Sequence, residues 1–423
     1  MGNTYYEAPF QMKVMEQLKF PEYTMIAADY REAFGPNAIQ QAVDDCAAAG
    51  GGNVVVDEGE WFTGPVHMKS NVHLIFEKGA VVTFSGRFAD YLPVVFTRWE
   101  GMECYNYSPL IYACGCENIA VTGEGTLKGN GALWWHWKKL QQEAAQELCY
   151  AQSEGIPVEK RIYGTKKAAL RPSFIQFVNC RDVVIEGITL VDGPQWTIHP
   201  VYCENVTVRN VTVNTSGPNT DGLNPDSCRN VLIEGCCFET GDDCIAINSG
   251  MNEDGWRVAR PCVNILIRNC VMKGGHGGLV IGSGMSGGVL NLYAHDCEIR
   301  NTNQGIRLKS MRGRGGYVRD VWFERISLHN ILEEAVQINM FYQYSTVEPK
   351  SEKPSDFAHI YIKDVRGAGR RTGVELCGLP EHPLRDIYLE NIELECAKAL
   401  ICDNVEKMEM RNVLLRKPDR AIS

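Results

Sequence analysis

Several absences narrow the class of this chain. Among 17 cysteines there is no Cys-x-x-Cys pair, so the usual zinc and redox spacings are missing and neither a metal nor a cofactor is expected. No hydrophobic stretch approaches the roughly 20 residues of a membrane span, so a membrane partner is not expected. Residues 1–23 lack a charged start, an apolar core and a small-residue cleavage site, so no signal peptide is expected there. Tyr6 stands where a myristoylation motif needs Ser or Thr. An excess of positive charge is lacking as well: 42 Lys and Arg face 52 Asp and Glu, for a net charge of −10. That balance argues against a nucleic-acid partner. Helical periodicity is scarce. Ile39, Ala42, Val43 and Cys46, spaced i, i+3, i+4, i+7, predict a short amphipathic helix near the N-terminus, and a polar run up to about Gln152 favours another.

What the chain does have is a repeat. A polar residue followed by aliphatic, any residue, aliphatic recurs from Asn118, Asp182, Asn205, Asn230, Asn264, Asn291, Asp320, His359 and Asp386, and fades at Lys407. Self-similarity at 20 to 50 residues marks stacked units. The short alternating runs mark strands rather than helices. One coil of a parallel β-helix per unit is the predicted architecture, all-β, with the helix around 39–46 covering the open strand edge at its start. One elongated domain, residues 26–423, is expected after an extension at 1–25. Insertions at about 130–172 and 340–357 interrupt the repeat. Cys236, Cys270 and Cys297 each fall six residues after a unit start, which predicts an inward column of buried thiols. An odd number of thiols and no evident leader point to the cytoplasm, or to a secreted or periplasmic protein if a leader has been removed. Oligomeric state is left open.

Four clusters stand in order in these units: Asn219-Thr220-Asp221-Gly222, Gly241-Asp242-Asp243, Gly275-His276-Gly277 and Arg307-Leu308-Lys309. Asp242 and His276 are 12 residues after their unit starts, Asp221 and Arg307 16 after theirs. Stacking at about 4.8 Å per coil therefore brings three carboxylates, an imidazole and two cations onto one face. Asp242 and Asp243 can both face outward only at a bend, which Gly241 would ease. Arg307 and Lys309, two apart on a strand, point the same way and could address one substrate carboxylate.

These clusters, in this order and at these gaps, resemble glycoside hydrolase family 28, the polygalacturonases, with Leu308 where many members have Ile. The resemblance extends over Asn37 to Gly86 and Gly123 to Trp135, and the run from Arg98-Trp99-Glu100-Gly101 to Ser108-Pro109-Leu110-Ile111 is similar to a bacterial, exo-acting branch. It implies a right-handed, single-stranded parallel β-helix and hydrolysis of α-1,4-galacturonosyl links with inversion. Asp242 would be the general acid, Asp221 and Asp243 would hold and deprotonate the water, and His276 would support the acid. Three crowded carboxylates cannot all ionise freely, so the cluster should retain a proton.

In a chain of net charge −10 an acidic polysaccharide must be attracted locally. Arg307, Lys309 and Asn219 are the expected substrate contacts, joined by Arg312 and Arg314 in the Gly-rich loop that follows and by Tyr342. Arg300 and Arg319 read equally well as a solvated face. The insertions, with Trp134-Trp135-His136-Trp137 and Phe341-Tyr342-Gln343-Tyr344, could wall off one end of a cleft and enforce exo action, or merely pack. Stacked carboxylates suggest the spacing of about 5 Å typical of retaining enzymes, whereas inverting ones show about 6.5 to 9.5 Å. Rhamnogalacturonan fragments as substrate, a calcium-dependent lyase and an inert carbohydrate-binding β-helix are the alternatives.

Overall fold

The computed structural model of the protein describes residues 4–342 and 351–418. Unit starts identified in the sequence lie in register from coil to coil. Parallel pairing runs from Ile119 to Val183, Val206, Val231, Ile265, Leu292, Val321, Ile360, Ile387 and Met408. The chain is a right-handed parallel β-helix. The aliphatic that follows each start is buried, as at Val183, Val206, Val231 and Ile265. Each such side chain contributes roughly 1.5–3 kcal/mol of transfer free energy. Cys236, Cys270 and Cys297 are buried in one column, and all 17 cysteines are free thiols.

The polar residue at each start has a backbone cause. Asn118, Asp182, Asn205, Asn230, Asn264, Asn291, Asp320, His359 and Asp386 all have φ between 52° and 59°. That is the left-handed region, where Asn and Asp are least penalised among residues with a Cβ. Their side chains also bond along the stack: the amide of Asn205 donates to Asp182 at 2.8 Å, Asn230 to Asn205 at 3.1 Å, Asn264 to Asn230 at 3.0 Å and Asn291 to Asn264 at 3.0 Å.

The helix Ala38–Ala48 lies over the first coil with Ile39, Ala42, Val43 and Cys46 buried. The extension is less separate than expected. Met12 is buried against Leu232, Leu266 and Tyr293, Phe20 stacks on His73, and the strand Thr24–Ile26, which straddles the 25/26 boundary, pairs in parallel with Asn53 to Val55. The first insertion forms three helices, Ala132–Trp135, Trp137–Leu140 and Gln142–Ser153. Trp134 and Trp137 are buried against Phe88 and Tyr107. In the second insertion Gln343 and Tyr344 lie outside the described residues.

One element was not expected. Val95–Trp99 and Met102–Asn106 form an antiparallel hairpin whose tip is Glu100-Gly101. Apolar packing of Trp99, Met102 and Cys104 against Leu148 and Leu170 holds it down together with buried charges: Arg98 Nη1 donates to Asp226 Oδ1 and to Ser227 Oγ, both at 2.9 Å, with Arg98 and Asp226 fully buried. On the second strand, Glu103 accepts from the Tyr202 hydroxyl at 2.8 Å and pairs with Arg257, while its N–H donates to Asp254 Oδ2 at 2.8 Å. Arg161 completes the clamp, 2.7 Å from the same Asp254 oxygen.

Candidate active site

The site is built where coils follow one another without a break. Leu223 pairs with Ile245, Ile245 with Leu279 and Leu279 with Ile306. Asp221 and Asp243, each two residues before these, therefore stack directly, and Gly277 and Gln304 continue the column. Asp242 falls one position earlier and meets the next coil through the His276 N–H, which donates to the Asp242 carbonyl at 3.2 Å. The bend that turns both aspartates outward is held by Thr240 Oγ1, which donates to the same carbonyl at 2.7 Å. Gly241 serves it by close approach: a Cβ there would sit 2.1 Å from the Gly217 carbonyl oxygen. Gly275, with φ of 68°, is needed for both reasons, since its Cβ would lie 1.9 Å from the Asp242 oxygen.

Side-chain oxygens of Asp221, Asp242 and Asp243 lie within 4.8 Å of one another, the one three-ligand cluster close enough to grip a metal among the described residues. Two of the three already have protein cations. Lys309 Nζ donates to Asp243 Oδ2 at 2.7 Å, and His276 Nδ1 is 2.9 Å from Asp242 Oδ1. Asn219 Nδ2 reaches Asp242 Oδ2 at 3.4 Å, and Asn224 Nδ2 donates to Asp221 Oδ2 at 2.9 Å.

These surroundings split the carboxyls. Burial, then the charges of Asp242 and Asp243, push the Asp221 carboxyl well above its ordinary range. Burial alone would raise Asp242 too, but the His276 hydrogen bond, with the charges of His276 and Lys309 behind it, holds Asp242 below the usual range. In return the Asp242 hydrogen bond, against a smaller opposing effect of burial, raises the His276 imidazole. Of the trio, Asp221 is thus the carboxyl whose surroundings most favour keeping a proton, while the bond between Asp242 and His276 favours their charged forms.

The substrate-side candidates divide. Arg307 is half-buried, its Nε donating to Gln337 Oε1 at 3.1 Å, and the Tyr342 ring lies 5.6 Å from its guanidinium and 5.2 Å from Lys309 Nζ, so these three meet. Lys309, expected beside Arg307 on the substrate, is buried and bonded to Asp243, because the coil it ends backs onto that carboxylate. Arg312 Nε and Nη2 donate to Glu381, at 2.7 and 3.1 Å. Arg314 is buried, donating to Asn252 Oδ1 at 2.7 Å, and its loop is closed by Trp256 Nε1 and Ser286 Oγ on its carbonyl. Both guanidiniums expected on the substrate are thus engaged by groups of the protein itself. Arg319 bonds to Asp356 and Arg300 to Glu298.

Sequence reasoning missed Arg171, which is fully buried and donates to Asn219 Oδ1 at 2.8 Å and to the Pro218 carbonyl at 2.7 Å. It thereby fixes the amide that faces Asp242. Glu100 was quoted only as part of a similar run, and the fold bonds it to Gln195, beside the Pro194 carbonyl that Arg171 holds. Both come from segments outside the repeat, which carry no periodic signal.

Three carboxylates, an imidazole and a lysine on one face of a parallel β-helix are the equipment of a glycosidase. The chain belongs to glycosyl hydrolases family 28, whose family model matches residues 46–411. It is similar to a probable polygalacturonase of Vitis vinifera, 28% identical over 86% of this chain and 72% of that protein. An exo-poly-alpha-D-galacturonosidase of Dickeya chrysanthemi is 24% identical over 81% of this chain and 61% of its own length. Among solved structures, the hyperthermoactive exopolygalacturonase of Thermotoga maritima superposes with a TM-score of 0.90 at 37% identity, over 95% of this chain and 93% of that one.

Proposed function

We propose that the protein hydrolyses α-1,4-galacturonosyl links of galacturonan or its oligosaccharides, from a chain end and with inversion. The observation that carries this reading is the trio within 4.8 Å, with Lys309 on one member and His276 on another. Asp242 delivers to the glycosidic oxygen a proton that it takes from the imidazolium it is bonded to, so the pair acts as the acid and His276 is left neutral. Asp243 and Asp221 hold the water, and Asp243 takes its proton. Lys309 steadies the carboxylate on which that charge changes. Arg307 offers a planar fork to a substrate carboxylate and Tyr342 its ring beside it. Exo action is supported by the pinned 95–106 hairpin, which packs on the helix Gln142–Ser153 and is bonded to the coil carrying Asp226, and by the exo-acting names of similar proteins. The free thiols favour a reducing compartment, and we place the reaction in the cytoplasm.

One observation favours a second substrate. On the coils beyond Arg307, Gln337 and Glu375 follow in its column, and Glu334 lies beside them, buried and paired with Arg371. Arg371 compensates Glu334, but Glu375, which accepts from the neutral amides of Gln337 and Asn339, disfavours another galacturonate and suits a neutral sugar, as in rhamnogalacturonan fragments. Incubation with polygalacturonate, short oligogalacturonates and rhamnogalacturonan oligosaccharides, with products followed in time, tests both readings. Free galacturonate from the first time point is expected. A spread of intermediate oligomers would refute exo action, and an unsaturated product would refute hydrolysis.

A further inference from the structure

An acid at the end of a cleft that receives a polyanion needs a reason. Glu100 occupies the tip of the 95–106 hairpin with φ of 45°, a backbone conformation that residues with a Cβ adopt rarely. Buried charges clamp both strands beneath it, through Arg98 to Asp226 and through Glu103 and Asp254 to Arg257 and Arg161. Gly101 is equally constrained, because a Cβ there would lie 2.9 Å from the Met251 nitrogen. The tip is thus a rigid presentation of one side chain. Glu100 Oε1 accepts from Gln195 Nε2 at 3.3 Å. Next to Gln195, the Pro194 carbonyl accepts from Arg171 at 3.1 Å, and Arg171 also holds Asn219, the amide that faces Asp242, so hydrogen bonds tie Glu100 to the acid's own surroundings. Burial raises the Glu100 carboxyl above its ordinary range, with Lys138 and Arg171 opposing.

In an α-1,4-linked chain only the non-reducing terminal sugar carries a free 4-hydroxyl. On every internal sugar that oxygen is in a glycosidic bond, has no hydrogen to donate, and leads on to another carboxylate. A carboxylate accepts hydrogen bonds only and repels that next sugar. We propose that Glu100 is the end-reading residue of this enzyme: its carboxylate accepts a hydrogen bond from the 4-hydroxyl of the terminal galacturonate and rejects internal stretches of the chain. Gln195 orients it, and the positive charges of Lys138 and Arg171 oppose the effect of burial on it. The attractive and the repulsive parts of specificity come from one side chain.

This inference rests on the exo reading above, and its test separates the two. Trigalacturonate and the same trimer with a 4-deoxy terminal residue are compared in the full-length protein and in Glu100→Ala and Glu100→Gln. The wild-type protein should favour the intact trimer in kcat/KM by about ten- to a hundredfold, the range for a hydrogen bond to a charged group. Glu100→Ala should narrow that preference to about twofold. Glu100→Gln, which keeps shape and a neutral acceptor, should retain part of it, so a folding defect in the alanine variant cannot imitate the result. A wild-type protein indifferent to the 4-hydroxyl, or a Glu100→Ala variant with the wild-type preference, overturns the assignment. If wild type releases monomer from polygalacturonate while Glu100→Ala keeps its preference, exo action stands and Glu100 is not its reader. Intermediate oligomers from wild type overturn the exo reading itself.

Discussion

Replacing Arg98 with methionine should destabilise the protein far more than loss of a surface charge would. The guanidinium and the Asp226 carboxylate are 2.9 Å apart with both side chains fully buried, so their attraction is about 6 kcal/mol at an effective dielectric constant of about 20. Desolvation of both groups offsets much of that, but a variant that keeps the carboxylate leaves it buried with only His199 at 3.4 Å and the Gly250 N–H at 3.0 Å. Orphaning a buried charge costs about 3–5 kcal/mol. At roughly 2.1 cal/mol/K of unfolding entropy per residue, a chain of 423 residues would lose about 3 to 6 °C in Tm. Burial would raise the Asp226 carboxyl, but Arg98 and then His199 outweigh it and hold it below the ordinary range. A depressed carboxyl contributes stability above its unfolded pKa of about 3.9, and that contribution is lost as pH falls through the folded value. Calorimetry should therefore find the full penalty of Arg98→Met at pH 7 and a smaller one below about pH 4. Arg98→Met/Asp226→Asn should recover at least about 1 kcal/mol of the sum of the single losses, since the residues are in direct contact. A single-variant loss below about 1 kcal/mol, or strict additivity, would refute the clamp.

Further outcomes follow from the site. His276 is raised by its bond to Asp242, so its proton is present below that value and lost above it. The alkaline limb of kcat should lie above pH 6.5, and His276→Gln should lose that limb and about a hundredfold in kcat; an unchanged pH profile would remove His276 from proton supply. Arg307→Ala should raise KM for oligogalacturonates about tenfold or more with a smaller effect on kcat, and Arg307→Lys should not restore it, because an ammonium lacks the planar fork. Proton NMR of the first product should show the β-anomer; an α-anomer would mean retention, which carboxylate oxygens within 4.8 Å of one another would then explain.

The fold was legible because the unit starts report a backbone state. Asn205, Asn230 and Asn264 mark left-handed corners and bond to one another, so the repeat seen in the sequence is the stack itself. The trio and His276 were legible for the same reason, being carried at near-constant offsets from those corners. Legibility failed where position depends on partners far along the chain. Arg98 is 128 residues from Asp226, and Lys309 is 66 from Asp243. Two-residue spacing placed Lys309 on the correct side of its strand but could not reveal the carboxylate behind it. Arg314 was expected on the substrate because its Gly-rich loop follows the site directly, yet Asn252, Trp256 and Ser286 close over that loop.

The central claim, that this trio cleaves a galacturonosyl bond with Asp242 giving the proton, is tested most directly by Asp242→Asn. Release of reducing ends from polygalacturonate should fall at least a thousandfold, with Tm within a few degrees of wild type and oligogalacturonate binding retained. Activity within tenfold of wild type in a folded variant would contradict the claim.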